Sequence, residues 1–288
     1  MSKVDFHNHW TTKSRVLSPE YVPQITLKAL GNGGIVGLVN YGDRRYEAFC
    51  ENINSMSDED PIKRRYSDLE NALVYDDGQN KVMILKGQEV KTSDGDLLVM
   101  ALTKNTHLKH ERSLEDTCKE AKDQNGVIIL TTPYFRSRVG QTMEENPKLW
   151  KYIDAIEVHN GNWIGGSKNK ETRNLYFNYI KDREDFEAIG LIASSDGHSH
   201  AEVGKSHSEI KGIDLDCLGG SVNVTYRIRK NIREIKESGN STVRSLYGSV
   251  EHAGIILSII ASSKLPKPLQ KLPPFKQILN FGDAEALR

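Results

Sequence analysis

The chain has 288 residues, enough to bury a full hydrophobic core, and α/β barrels of this length often form one domain. Lysine plus arginine balances aspartate plus glutamate at 39 each, which excludes a strongly basic surface for binding along nucleic acid. The 3 cysteines are too dispersed for a disulfide framework, and the first residues show no signal pattern, so we expect a cytoplasmic protein. The longest apolar run, residues 254–261, is too short to span a membrane.

Short β-rich runs alternate with helical stretches. We predict strands at residues 3–9, 35–41, 82–91, 97–102, 127–132, 155–159 and 188–194. Helices are predicted at residues 19–30, 62–75, 114–124 and 171–186. Most of the strands are nearly continuous Val/Ile/Leu runs, which is typical of parallel strands buried on both faces. The alternation predicts an α/β barrel or a doubly wound sheet, with a hairpin where the strands at 82–91 and 97–102 meet.

The pattern becomes helical after Ser194. Ile228, Ile232 and Ile235 share one helix face, and the basic residues around them form either a solvated face or a contact for an anion. Residues 243–261 read as a buried helix, and prolines recur after residue 262. We therefore assign residues 1–262 to a single barrel domain and residues 263–288 to a Pro-rich C-terminal tail.

His7 and His9 lie one residue apart at the end of the first predicted strand. Side chains at i and i+2 of a strand leave from the same face, so both imidazoles point into one space. Converging neutral imidazoles suit a divalent cation such as Zn²⁺. The plainer interpretation is a polar strand end with two solvated histidines.

Further reactive side chains follow the ends of later strands: Glu89, Glu157 and His159, Asp196 and His198. The carboxyl ends of strands in a parallel barrel open on one face, so these residues are expected to converge with His7 and His9. Glu157 and His159 are expected on one face of their strand. Each residue also has a plainer role: Glu89 facing solvent, Asp196 capping a turn, or His159 filling a polar gap. Their joint placement favours a site for Zn²⁺, Mn²⁺ or Fe²⁺.

Four motifs, in this order, resemble those of the PHP (polymerase and histidinol phosphatase) superfamily over roughly residues 3–260: Asp5-x-His7-x-His9, Gly87-Gln88-Glu89, Ile156-Glu157-Val158-His159-Asn160 and Ser195-Asp196-Gly197-His198. The resemblance implies a distorted TIM-like barrel of the (β/α)7 type, with seven parallel strands and a metal site at their C-terminal mouth. It also implies up to three bound metals and hydrolysis of phosphoesters.

The chain departs from the family pattern at several ligand positions. It reads Asn40-Tyr41-Gly42-Asp43 where the family usually has Thr-Asp-His, and Thr131-Thr132-Pro133 where the family has Ala-His-Pro. Asp96 stands where a histidine is usual, and the histidine that often follows His-x-His is absent.

The resemblance then implies a complete first metal site made by His7, His9, Glu89 and Asp196. A second site would retain Glu89 and Asp96, with Thr132 as a poor ligand, and a third would keep only His198. We therefore expect one strong site for Zn²⁺ or Mn²⁺, with Fe²⁺ also compatible, and at most a weak second site.

The resemblance, together with the complete first site, implies a metal-dependent phosphoesterase. We expect a phosphorylated small molecule, a nucleotide or a nucleic-acid end as substrate, and no membrane partner. His198 or His159 would act as general acid or base near neutral pH. Arginines in loops after the strands would clamp the phosphate, although plain surface arginines fit these positions too: Arg44, Arg45, Arg136 and Arg138.

Two other classes of function remain open. The missing histidines fit a catalytically decayed binding or scaffold protein that holds one metal or none. A metal-dependent hydrolase of C–N or other bonds would also have its metal site at the mouth of a barrel. The histidine and lysine ligands usual for that class are not visible on the middle strands.

Overall fold

Strands and helices alternate along the computed structural model, which describes residues 1–10, 17–135, 138–162, 166–181, 183, 188–235 and 242–243. The strands are β1 (Ser2–Asp5), β2 (Gly34–Asn40), β3 (Tyr66–Asp68), β4 (Ala72–Asp76), β5 (Lys81–Lys91), β6 (Asp96–Met100), β7 (Val127–Leu130), β8 (Ala155–Asn160), β9 (Gly190–Ser194), β10 (His207–Ile210) and β11 (Thr242–Val243). The helices are α1 (Tyr21–Leu30), α2 (Arg45–Asn54), α3 (Leu114–Asp123), α4 (Val139–Glu145), α5 (Asn169–Tyr179) and α6 (Ser221–Arg233). Short 3₁₀ helices cover Lys63–Arg65, Pro147–Tyr152 and Leu215–Cys217.

The central strands follow one another around the barrel in the order β1-β2-β5-β6-β7-β8-β9. The circuit closes where the segment after β1 meets the segment after β9. There the His9 amide donates to the Gly197 carbonyl at 2.7 Å, and the Gly197 amide donates to the His7 carbonyl at 3.1 Å. The predicted α/β barrel is confirmed, and its closure brings two of the predicted motifs side by side.

One strand of the circuit runs against the others. The β1–β2, β2–β5, β7–β8 and β8–β9 pairs are parallel, whereas β6 is antiparallel to both β5 and β7. The reason is the short turn between β5 and β6, where the Thr92 amide donates to the Gly95 carbonyl at 2.8 Å. A tight turn can only join antiparallel strands, so the predicted hairpin is confirmed and the barrel is not fully parallel.

The predicted helix at residues 62–75 is wrong. Its place is taken by a 3₁₀ turn at Lys63–Arg65 and by the β3–β4 hairpin, which pairs with β5. Tyr66 and Tyr75 lie opposite each other in this hairpin, with ring centroids 5.3 Å apart. Aromatic and β-branched side chains pack well across a pleated sheet, and here that preference overrides an apparent helical spacing.

The other predicted helices correspond to α1, α3 and α5, whereas α2 and α4 were not predicted. The predicted helix at residues 243–261 lies outside the described residues except for Val243, which ends β11. The Pro-rich tail at residues 263–288 lies wholly outside them. Among the helices of the described ranges, none is long and apolar enough to cross a membrane.

Helix α6 covers the barrel at the N-terminal ends of β8 and β9. Ile228, Ile232 and Ile235 are buried in the same apolar cluster as the inward-facing strand residues, and burying each isoleucine stabilises the fold by about 2 kcal/mol. On the flank of the helix, Arg233 Nη2 lies 2.6 Å from a carboxylate oxygen of the fully buried Asp154. The basic side of α6 is therefore partly a structural ion pair rather than a fully solvated face.

Asp5 ties β1 to the segment that follows β9. Its buried carboxylate accepts hydrogen bonds from the Ser195 amide at 3.0 Å, the Ser195 hydroxyl at 2.5 Å and the Gly204 amide at 2.7 Å. Burial raises the pKa of Asp5 from 3.8 to about 6, because these hydrogen bonds to the charged form only partly offset its desolvation.

The raised pKa of Asp5 predicts how stability depends on pH. A folded-state pKa above the unfolded value means that the folded protein holds this proton more tightly, so the contribution is present below pH 4 and is lost as pH rises through 6. The free energy of unfolding, measured by urea titration without metal, should fall by up to about 3 kcal/mol more in the wild type than in Asp5→Asn over that range. Parallel profiles for the two proteins would contradict this assignment.

Candidate metal centre

The four side chains of the predicted first site converge at the mouth of the barrel. His7, His9 and Glu89 each offer a ligand atom within 4.8 Å of the others. The two histidine Nε2 atoms lie 2.9 Å apart, and His9 Nε2 lies 3.0 Å from Glu89 Oε2. Asp196 Oδ1 lies 3.5 Å from His7 Nε2 and 3.7 Å from His9 Nε2. The expected convergence of distant strand ends is therefore what the structure shows.

Close backbone packing places the His-x-His segment. Gly37 of β2 abuts the chain after β1 so tightly that a Cβ there would lie 2.1 Å from the Phe6 carbonyl oxygen. The Val39 amide donates to the Asn8 carbonyl at 3.0 Å, which continues the pairing past the end of β1. Only glycine allows this close approach between β2 and the chain that leads into the His-x-His segment.

A strained residue places the fourth side chain. Asp196 has a φ of 51°, in the left-handed region that aspartate tolerates better than most residues. Its neighbours are fixed on both sides, because Ser195 is bonded to Asp5 and Gly197 is bonded to the His7 backbone. This local fixation holds the Asp196 carboxylate towards the histidines.

Four carboxylates lie around this point together with the imidazoles of three histidines: Glu89, Asp96, Glu157 and Asp196, with His7, His9 and His198. Burial lowers the pKa of His7, but the Asp196 and Glu157 carboxylates outweigh burial and raise that pKa well above its usual value. Burial also raises the pKa of Glu89, yet His9 and His7 together hold it below its usual value. The pKa of His9 is lowered, mainly by burial. The excess of carboxylates favours a bound cation.

The donor set fits a divalent transition metal. Tetrahedral Zn²⁺ with bonds of about 2.0–2.1 Å places its ligand atoms about 3.4 Å apart. The two histidine Nε2 atoms lie 2.9 Å apart, and the Glu89 and Asp196 carboxylate oxygens lie 3.0 to 3.8 Å from them. Two imidazoles and two carboxylates suit Zn²⁺, Mn²⁺ or Fe²⁺. His7, His9 and Glu89 could therefore hold one such ion, with Asp196 beside both histidines as the fourth candidate ligand.

Glu157 supports the first ligand from behind. Its Oε1 lies 3.0 Å from His7 Nδ1, and its Oε2 accepts from the Thr131 hydroxyl at 2.6 Å and from the Asn160 amide at 3.1 Å. The Ser194 hydroxyl also donates to Glu157. A carboxylate on Nδ1 fixes the tautomer of His7 that leaves Nε2 available as a ligand. Glu157 had been singled out in the sequence, but this supporting role had not.

Asn160 is a second supporting residue that sequence reasoning missed. Its side-chain amide donates both to Glu157 and, at 3.2 Å, to Asp196 Oδ2. It thereby joins the support of His7 to the orientation of Asp196. Its place as the last residue of the Ile156–Asn160 motif is the signal that the sequence offers.

Asp96, the predicted ligand of a second site, lies beside the first. Its carboxyl is half-buried, and burial together with the Glu89 charge raises its pKa to about 6. Thr132, which follows β7, offers a hydroxyl that binds metals poorly.

The two histidines predicted to move protons lie in different surroundings. His198 is at the mouth, with its ring centroid 5.1 Å from that of His9 and with Nδ1 lying 2.9 Å from the Asp196 carbonyl. His159 Nδ1 instead lies 3.2 Å from the Asn169 amide of α5. The register of β8 shifts between Glu157 and His159. The two side chains therefore do not lie on one face of the strand, which corrects the expectation from the sequence.

The three predicted phosphate-binding arginines among the described residues differ in their surroundings. Arg45 faces the centre, with Nη1 lying 3.1 Å from His9 Nδ1 and Nε bonded to Asp43 at 2.9 Å. Arg44 is exposed beside it. Arg138 is also exposed and contacts Gln141, whereas Arg136 lies outside the described residues.

No protein-family model matches the chain, and no curated protein matches it. Among solved structures, the chain is similar to the lesion-specific endonuclease PfuEndoQ from Pyrococcus furiosus, at 13% identity and a TM-score of 0.46. That match covers 98% of this chain and 72% of the other chain. The likeness is too weak to indicate what this chain does.

Glu157→Gln tests the supporting carboxylate. The change retains an oxygen acceptor but removes the charge that orients His7, so we expect the dissociation constant for Zn²⁺ to rise about 10–100-fold. Chelator competition measures this value. Glu171→Gln, on α5 and outside the centre, removes the same charge and should leave zinc affinity unchanged. Equal affinities for Glu157→Gln and the wild type would show that His7 does not depend on Glu157.

Proposed function

We propose that this chain is a metal-dependent phosphoesterase. The observation that carries the proposal is the convergence of His7, His9 and Glu89, whose ligand atoms lie within 4.8 Å of one another, with Asp196 Oδ1 3.5 and 3.7 Å from the two histidine Nε2 atoms. The order of the motifs, which resembles that of the PHP superfamily, supports the same conclusion. An ion held by these side chains would supply Lewis acidity to a phosphoryl oxygen and to the attacking water.

The protein's own residues would bind the substrate and move a proton. Arg44 is exposed at the start of α2, near the mouth, where its guanidinium fork suits a phosphate. His198 is suited to proton transfer, because its Nδ1 is directed at the Asp196 carbonyl and its Nε2 is then the nitrogen that accepts a proton. His159 is less suited, because it contacts α5.

The substrate we propose is a phosphomonoester or phosphodiester in a small molecule, a nucleotide or a nucleic-acid end. Balanced lysine-plus-arginine and aspartate-plus-glutamate totals of 39 each do not favour a substrate gripped along a long polyanionic backbone. A compact phosphorylated end needs only the local charges at the mouth.

Metal analysis and a phosphatase panel test this function. We expect purified protein to bind one Zn²⁺ or Mn²⁺ and to hydrolyse a phosphoester only with metal present. His9→Ala and Asp196→Asn should each reduce turnover by more than about 100-fold, a larger effect than changes outside the ligand set produce. Asp216→Asn is a matched control, since Asp216 is exposed and pairs with Lys81.

Two results would contradict the proposal in different ways. Binding of less than about a tenth of a metal equivalent, with no turnover, would favour the decayed scaffold instead. Full activity in both His9→Ala and Asp196→Asn would mean that the reaction does not use this centre.

A further inference from the structure

The two ligand histidines have opposite charges behind them. His7 Nδ1 lies 3.0 Å from the Glu157 carboxylate, and His9 Nδ1 lies 3.1 Å from Nη1 of the Arg45 guanidinium. A carboxylate behind a ligand histidine strengthens metal binding. A cation in the same position does the reverse, because it repels the ion and draws electron density from the ring.

The Arg45 contact also determines which nitrogen of His9 carries the proton. A guanidinium has donors and no acceptor, so Arg45 can bond to His9 Nδ1 only when that nitrogen is unprotonated. Neutral His9 then has its proton on Nε2, which lies 3.0 Å from Glu89 Oε2 and 2.9 Å from His7 Nε2. Hydrogen bonds therefore run from Arg45 through His9 to the rest of the centre with no ion needed.

Arg45 is well fixed in this position. Its Nε is bonded to Asp43 at 2.9 Å, and Nη1 also donates to the Val39 carbonyl at 3.2 Å. Only 12% of its side chain is exposed, so solvent screens its charge weakly. When an ion occupies His9 Nε2, the proton must lie on Nδ1, and the Arg45–His9 hydrogen bond is lost.

We propose that Arg45 is a positioning residue that acts through His9 to weaken metal binding at this centre. It stabilises the His9 tautomer that cannot coordinate through Nε2, and its charge opposes the incoming ion. The metal is consequently held less tightly than the His7, His9, Glu89 and Asp196 donors alone would hold it, and it exchanges with solution. This inference rests on the metal centre of the proposed function.

Zinc affinities of matched variants test the proposal. Dissociation constants for Zn²⁺ are measured by chelator competition on the full chain. Arg45→Gln removes the charge and should bind Zn²⁺ at least about tenfold more tightly than the wild type. Arg45→Lys keeps the charge and should remain close to the wild type. Arg44→Gln removes a neighbouring exposed charge and should have little effect, because solvent screens it.

The outcomes separate this proposal from the proposed function. Unchanged or weaker zinc binding in Arg45→Gln, with normal binding by the wild type, overturns the role of Arg45 and leaves the function standing. Absence of zinc binding in the wild type overturns both. Tighter binding in Arg44→Gln as well as in Arg45→Gln would indicate a general charge effect and would overturn the specific role.

A spectroscopic measurement gives an independent readout. Nitrogen-15 spectra of the histidine rings, with His9 assigned by comparison with His9→Gln, report which nitrogen is protonated. Metal-free wild type should show the Nε2–H tautomer of His9, and metal-free Arg45→Gln should shift towards Nδ1–H. The Nδ1–H tautomer in metal-free wild type would overturn the proposal.

Discussion

The barrel mouth depends on one buried charge, the carboxylate of Glu157. Burying an ion costs several kcal/mol unless hydrogen bonds compensate it. Glu157 receives its hydrogen bonds from side chains on or directly after β1, β7, β8 and β9: His7, Thr131, Asn160 and Ser194. Displacing any of these segments would leave a donor or the carboxylate unsatisfied inside the protein. The charge therefore fixes the ends of several strands relative to one another, and it fixes the first ligand with them.

That arrangement leaves the site with more carboxylates than the protein neutralises. His7 Nδ1 contacts the Glu157 carboxylate, and His7 Nε2 lies near the Glu89 and Asp196 carboxylates. These negative charges raise the pKa of His7 although it is completely buried. A divalent ion at the same point would satisfy the carboxylates without protonating the histidines. His9 differs, because its second nitrogen meets Arg45 rather than a carboxylate. The two histidines look equivalent in the sequence, but in the fold the Nδ1 of His7 faces a negative charge and the Nδ1 of His9 faces a positive charge.

The sequence predicted the parts that follow from periodicity. The buried Val/Ile/Leu runs predicted the strands of the barrel. The rule that parallel strands end on one face of a barrel predicted that His7, His9, Glu89 and Asp196 lie close together. The sequence could not predict that the side chains of His159 and Glu157 lie on different faces of β8. The register shift that separates them has no signal in the residue types. Arg45 appeared only as one of several loop arginines. Its contact with His9 depends on how α2 begins, and that helix was not predicted.

Strand β8 shows how the fold separates stability from chemistry. Asp154, directly before its first residue, is buried and bonded to Lys122 at 2.9 Å and to Arg233 at 2.6 Å. Cations thus surround that carboxylate, and breaking such a buried pair costs about 3–5 kcal/mol. Glu157, only a few residues along, is held by neutral hydroxyl and amide groups and by the imidazole of His7. The same strand therefore has a charge balanced by the protein at its closed end and a charge that favours a metal at its open end. In barrels generally, the N-terminal face serves stability and the C-terminal face carries the chemistry.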